Sequence, residues 1–434
     1  MKQLTELATP FASVAETSVL PGDDLPWLQA LRQQALTQFS SAGLPAKKEE
    51  DWKYTSLWSL TQQAFTHDAI ETTIVPEQCE QMALLDDAYR LVIVDGEFAT
   101  DLSQLDGLPS KVTVQPFSTS LASVEQQLGQ QVALDKAGLT ALNTLLMKEG
   151  VMVHIAADVV LDKPIELLVI NSGATANLAA HLRNMIVLDE NARATVIEHY
   201  VGVSDGVYFN NVVSEVVLAE QAELFHYKLQ QESQQAFHIA TLAAKQAAGS
   251  QWHTQNITLG GQLSRNDVHS RLEGEESHTT MDGLYLLNDE QHADTHTRID
   301  HLVPNTTSNE LYKGVLDDRC HGVFNGKVMV HKDAQKTDSN QYNHNLLLSR
   351  GCAIDTKPEM EIYADDVKCG HGSTVGQLDM DQLFFLRARG LDEVTARSLL
   401  THAFAVDVLD RIPSESIRQA LSTVIEQRLP RGQK

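Results

Sequence analysis

Ile186-Val187-Leu188-Asp189-Glu190-Asn191-Ala192-Arg193-Ala194-Thr195-Val196-Ile197-Glu198-His199-Tyr200 is typical of the stretch from about Val151 to Ser349, and that stretch decides the fold. Short runs rich in Val, Ile, Leu and Thr are broken by small polar clusters, and helical periodicity fades. The breaks fall at Asp189-Glu190-Asn191, Glu220-Gln221, Gly249-Ser250, Glu273-Gly274-Glu275, Asn288-Asp289-Glu290, Asp317-Asp318 and Lys332-Asp333. Their separations gather near ~15 and ~29 residues, as expected of strands winding in coils. A β-solenoid is favoured over a sandwich, although turn spacing alone does not separate parallel coiling from an antiparallel meander.

Helix signals flank this region. Pro26 suits a first helical turn, and Leu28, Leu31, Ala35 and Phe39 recur at helical spacing until Ser40-Ser41-Ala42-Gly43. The charged segment from Leu44-Pro45-Ala46-Lys47-Lys48 through Glu49-Glu50-Asp51-Trp52-Lys53-Tyr54-Thr55 reads as a docking loop whose Trp52 and Tyr54 pack on the core. Near the C-terminus, Asp379 or Asp381, Asp392 and Ser414 are candidate helix caps, with Gly390 as a stop. Val394, Leu400, Ala403, Phe404 and Val408 form one expected apolar side, and Ile417, Leu421, Val424 and Ile425 another. These helices suit either a cap over the end of the β region or a partner-binding module. The expected class is therefore mainly β with helical ends: residues 1–110 helical or mixed, 111–376 the β core, 377–434 a helical module. That module is expected to be removable from about Leu383 onward without loss of the β core.

With 58 acidic and 33 basic residues, the formal charge of -25 disfavours nucleic acid and anionic membrane surfaces as partners. The start, Met1-Lys2-Gln3-Leu4-Thr5-Glu6, lacks the basic and apolar regions of a secretory leader, and no apolar run approaches ~20 residues. The expected location is the cytoplasm. Asn256-Ile257-Thr258 and Asn305-Thr306-Thr307 then carry no glycosylation meaning.

Chemistry-bearing motifs are sparse. Gly322-Val323-Phe324-Asn325-Gly326-Lys327-Val328 has one residue too few between its glycines for a phosphate loop, and Val stands where a hydroxyl is required, so no nucleotide is expected on this chain. Cys79, Cys320, Cys352 and Cys369 are scattered without close pairing. Nine histidines lie between His253 and His344, which motivates an alternative reading as a stand-alone metal-binding enzyme on a His-rich β scaffold. A β-helix polysaccharide enzyme suits the fold less well, because nothing marks the chain for secretion. Lys368-Cys369-Gly370-His371-Gly372 is sharper: two residues apart on an extended backbone, Cys369 and His371 share one face. Thiolate and imidazole suit iron, zinc or an iron–sulfur unit, but two ligands do not complete a tetrahedral site.

At this segment the chain resembles the SufD family, scaffold subunits of the Suf iron–sulfur cluster assembly machine. The resemblance is carried by Leu44-Pro45 with Glu50-Asp51-Trp52-Lys53-Tyr54-Thr55, by Glu310-Leu311-Tyr312-Lys313-Gly314-Val315-Leu316 and by Val323-Phe324-Asn325-Gly326-Lys327. It continues in Ala334-Gln335-Lys336-Thr337-Asp338, Asn343-His344-Asn345-Leu346-Leu347-Leu348-Ser349, Lys357-Pro358-Glu359-Met360-Glu361-Ile362 and Ala364 through Gly376. It implies a right-handed parallel β-helix with helical ends and a non-catalytic scaffold paired with SufB. It further implies docking of the SufC ATPase on the C-terminal module, which would place Phe384, Phe385, Leu400, Phe404 and Val408 at that interface. By the same resemblance His371, with Cys369 in a less certain role, would hold iron or a nascent cluster transiently against SufB. Reduced flavin in the complex, access to the SufS–SufE sulfur donor through the complex, and a homodimer when isolated are further implications. A SufB-type N-terminal cysteine motif is absent.

Overall fold

The computed structural model describes residues 11, 20–70, 74–132 and 138–429; Met1–Glu6, read above for the lack of a leader, lie outside them. Strands alternate between two sheets. One sheet stacks Tyr89–Val94, Ile165–Asn171, Arg193–Gly202, Glu223–Gln231, Gln251–Thr258, His278–Leu287, Thr307–Leu316, Asp338–Leu347 and Lys368–Gly376, with Glu97–Phe98 at its far edge. The other stacks Val112–Pro116, Val151–Ile155, Leu178–Leu188, Tyr208–Leu218, Phe237–Gln246, Leu263–Leu272, His292–His301, His321–Val330 and Ala353–Ile362. From Ile165 onward all pairing is parallel and in register, giving a parallel β-solenoid of about eight turns. Leu263 lies beside His292 and His292 beside His321, each one coil of 29 residues on.

The polar breaks are the corners. Asn191, Gln221, Asp289 and Asp318 adopt positive φ there, a conformation that Asn, Asp and Gly enter most readily. Corners also bond to one another: the amides of Asn191 and Gln221 donate to the carbonyls of Glu220 and Ala248 on the next coil. Inside, alternate residues of each strand fill the space between the sheets, with Val196, Leu224, Trp252, Met281, Tyr285 and Phe324 among the buried apolar members.

Helices cover the outer faces. Helix α1 (Pro26–Ala42) ends where Gly43, at φ 68°, donates its amide to Phe39. Helix α2 (Gly138–Leu146) is buried throughout, and with α1 it covers Phe209, Phe237 and Ile239 on the nine-stranded sheet. The amide of Asn143 bridges two coils, donating to the carbonyls of Leu182 (2.8 Å) and Asn211 (2.9 Å). Trp52 docks as expected, packing on the core with the Arg265 guanidinium 3.9 Å from its ring centroid, and Thr55 donates to Asp294 at 2.5 Å; the Tyr54 ring instead carries the Lys53 ammonium.

At the other end, α3 (Met380–Arg387), α4 (Glu393–Val406) and α5 (Glu415–Arg428) begin at the expected caps Asp379, Asp392 and Ser414. They do not cap the solenoid. Ala405, Val408, Leu409, Ile417, Leu421 and Ile425 pack instead on Phe225, Leu229, Ile257 and Leu284, the outer face of the ten-stranded sheet. Polar anchors fix them there: Arg411 pairs with buried Asp282 at 3.0 Å, and Gln255 donates to the Val408 carbonyl at 3.0 Å. The buried side of α4 is Ala396, Thr401 and Ala405, not the expected stripe. Small side chains there let the helix lie close, which leaves Val394 and Leu399 exposed.

Two expectations are corrected. Tyr89–Val94 pairs with Ile165–Asn171, so the solenoid begins inside residues 1–110, expected to be helical or mixed, rather than after residue 110. Leu91 and Ile93 face the interior while Val92 and Val94 face Cys79, Ile74 and Met82, so both strand faces are buried and no alternation marks it. The C-terminal module also covers an apolar sheet face, so its removal from about Leu383 onward would expose Phe225, Leu229, Ile257 and Leu284. Leu421→Ala should lower stability by about 2–5 kcal/mol, read as a reduced urea midpoint, and truncation at Asp379 should leave the β core aggregation-prone. An unchanged midpoint in the point variant would contradict this packing.

Candidate functional site

The last strands of the two sheets, Ala353–Ile362 and Lys368–Gly376, each have a pairing partner on one edge only. Their other edges present unpaired backbone N–H and C=O groups, and Pro358, which lacks an amide hydrogen, is tolerated in such an edge strand. The final coil is correspondingly open. Ser339, Gln341 and Asn343 are fully buried inside the solenoid, whereas their register partners on the final strand, Cys369, His371 and Ser373, are half-buried or exposed. The two predicted ligands therefore continue interior columns out to the mouth. Thr356, Pro358 and Met360 extend the opposite sheet there, continuing from Phe324, Gly326 and Val328.

The pair is not equivalent chemically. Burial, with the Asp338 carboxylate nearby, pushes the Cys369 thiol up, which favours the protonated form over the thiolate that binds metal. His371 is exposed, and its ring makes no hydrogen bond to any described residue. It is the freer donor. Gly370 and Gly372 face Asn340 and Tyr342 across the strand, and a Cβ at either would meet only ordinary contacts, so they keep the outer face low without being sterically required.

Beneath His371 the column is polar. Gln341 donates through Nε2 to Glu310 Oε2 at 2.7 Å, and burial pushes the Glu310 carboxyl up to about 7 despite that bond. Sequence reasoning missed Glu310 and Gln341 as neighbours of the site, because their juxtaposition with His371 is a property of register across coils.

Several other histidines are held by side chains of neighbouring strands. His269 pairs with Asp300 at 2.6 Å, His321 with Asp355 at 2.8 Å, and His301 bonds Thr306 and Ser308 at 2.7 and 2.9 Å. Among the described residues no group of three or more His, Cys, Asp or Glu side chains is placed to hold a metal ion. The stand-alone metal-enzyme reading thus lacks a site there. A cavity of about 550 Å³ lies under the Glu50–Trp52 turn, but its cations are already paired: Lys357 with Glu50 and Glu359, Lys327 with Glu361, Arg265 with Asp267.

Of the residues expected at an ATPase interface, Phe384 and Phe385 are 73% and 53% exposed, with Met380 beside them also exposed. Leu400 and Phe404 are half-buried, and Lys313 lies 4.6 Å from the Phe404 ring centroid. Val408 is fully buried under the module, so its expected role in contacting a partner is withdrawn. No helix among the described residues is long and apolar enough to cross a membrane.

Comparison with known proteins agrees with this geometry. Residues 169–404 match the family model described as SUF system FeS cluster assembly, SufBD core domain, and residues 7–167 match the SufBD protein N-terminal region. An iron-sulfur cluster assembly SufBD family protein of Synechocystis is 34% identical over 96% of this chain and 94% of its own length. The iron-sulfur cluster assembly protein SufD of Escherichia coli is 34% identical over 92% of this chain and 93% of its own. That of Bacillus subtilis is 25% identical over 93% and 94%.

The raised carboxyl has a measurable consequence. Because the folded Glu310 titrates near 7 and the unfolded group near ~4.3, its protonated form favours folding, and that contribution fades as pH rises from about 4 to about 7. Glu310→Gln should remove this dependence. Urea midpoints of variant and wild type should diverge in the variant's favour as pH rises across the window, and parallel curves would sink the assignment.

Proposed function

Because the chain belongs to the SufBD family of iron–sulfur cluster assembly proteins and is of the SufD type, we propose that it is a non-catalytic scaffold subunit that completes its metal site across an interface with a SufB-type partner. The observation carrying this reading is the open final coil, where His371 and Cys369 emerge from interior columns between two unpaired strand edges. Unpaired edges are templates for strand addition by another chain. A partner strand added there would bury His371 beside its own side chains and supply the ligands that one imidazole and one thiol lack.

In this reading iron, or the nascent cluster, is cargo. His371 is the principal donor from this chain. Cys369 is secondary, since its environment favours the thiol. Gly370 and Gly372 leave the backbone beside the site accessible.

The C-terminal module would dock a SufC-type ATPase through Met380, Phe384 and Phe385, whose exposure on α3 contrasts with the buried sides of α4 and α5. Leu400 and Phe404 would lie behind this contact. The reduced flavin implied by the resemblance belongs to the assembled complex, and no side chain of this chain is assigned to it. Sulfur from a SufS–SufE donor would likewise arrive through the partner.

His371→Ala should leave urea unfolding and complex formation intact while lowering cluster formed by the assembled complex, with Cys369→Ala causing a smaller loss; a full cluster yield from His371→Ala would defeat the ligand assignment. Phe384→Ser combined with Phe385→Ser should abolish co-purification with the ATPase at unchanged stability, which separates docking from packing in a way truncation does not. Retained association would place the ATPase elsewhere.

A further inference from the structure

The interior column ending at His371 is polar along its last three coils. Glu310, Gln341 and His371 occupy one register position on three successive coils, and strands in a sheet lie about 4.8 Å apart. Glu310 and Gln341 are fully buried. The 2.7 Å contact from Nε2 to Glu310 Oε2 turns the Gln341 NH₂ toward Glu310 and leaves its carbonyl oxygen for another partner. That oxygen, Gln341 Oε1, is buried and has no hydrogen-bond partner. A buried acceptor left without a partner is costly, and such a group calls for an explanation.

Space has been left for this arrangement. On the facing sheet Gly326 opposes the amide, and a Cβ at that position would come within 2.4 Å of Gln341 Nε2. Any other residue there would displace the amide. The Glu310 contact also survives protonation, because either form of the carboxyl keeps an oxygen that accepts from Nε2.

We infer that Glu310 and Gln341 are positioning residues for His371: Glu310 orients the Gln341 amide so that Oε1 accepts the ring N–H of His371, fixing the tautomer whose other nitrogen is offered to the metal. The inference rests on the reading of His371 as a ligand. The chemistry is general. Metal-binding imidazoles commonly donate their remaining N–H to a fixed acceptor, which sets ring orientation and raises ligand basicity. At the solenoid mouth this acceptor would be Gln341, the register neighbour of His371 on the preceding coil.

The test uses the full-length chain with isotope-labelled histidine ring nitrogens, the His371 signals being assigned by their loss in His371→Ala. In the wild type the neutral ring should be held predominantly in one tautomer. Gln341→Leu should return it to the ratio of an unrestrained imidazole, Gln341→Glu should keep the bias by restoring an acceptor, and Glu310→Gln should weaken it by letting the Gln341 amide turn. Cooperative urea unfolding establishes which variants are folded, and the two conservative variants keep the test alive if Gln341→Leu is not. An unchanged tautomer ratio in folded Gln341→Leu or Glu310→Gln overturns the inference.

A second reading uses cobalt(II) and the complex with the SufB-type partner. Gln341→Leu should weaken cobalt(II) binding about ten- to a hundred-fold, with Gln341→Glu restoring it. If His371→Ala itself leaves cobalt(II) binding intact, the ligand assignment above fails. If His371→Ala abolishes binding while the Gln341 and Glu310 variants bind normally, only the positioning role fails.

Discussion

Everything in this protein depends on the in-register parallel ladder between coils. Each interior strand satisfies its backbone with the strands one coil before and one coil after, so a residue at a given position is stacked on its counterparts along the whole solenoid. The ladder explains why polar residues are tolerated inside. A carboxylate, hydroxyl or imidazole in one coil has neighbours at fixed spacing in the adjacent coils, and many of them bond. Glu198, for example, accepts from Tyr200 at 2.6 Å and Ser214 at 2.7 Å and faces His226 at 3.1 Å, all fully or nearly buried. Arg183 and Glu215 form a buried pair on adjacent strands in the same way.

A ladder of this kind has ends, and the two ends of this one are treated differently. Toward the N-terminus the sheets finish in antiparallel pairings, Tyr89–Val94 with Glu97–Phe98 and Val112–Pro116 with Val151–Ile155. At the C-terminal end the last coil is left with free edges and an accessible interior, while the helices that follow turn back along the flank of the ten-stranded sheet. The physical consequence is an asymmetric molecule: its flanks are sealed by apolar helix packing, and one end retains hydrogen-bonding capacity together with a soft-metal donor.

Local signals in the chain were reliable where the physics is local. Asp379, Asp392 and Ser414 each cap a helix with their own side chain. Gly43 ends α1 through positive φ, and polar clusters such as Asp189-Glu190-Asn191 became corners because their residues tolerate the left-handed conformation. Apolar periodicity misled in two places. Tyr89–Val94 is buried on both faces and shows no alternation, so it read as part of a helical or mixed region. The stripe of α4 was drawn through Val394, Leu400 and Val408, but the sheet beneath selects the small residues Ala396, Thr401 and Ala405. The same sheet buries Val408 and removes it from any interface.

By itself the sequence determined the coil length, the corner positions, the helix starts and the presence of Cys369 and His371 on one face of one strand, because each follows from backbone preferences within a few residues. Only the tertiary structure decided that this strand is the last of its sheet, that the C-terminal helices lie on the flank instead of over the end, and that Gln341 and Glu310 line up beneath His371. Those facts depend on register accumulated over successive coils and on which apolar surface an amphipathic helix finds, and neither is encoded in any short segment of the chain.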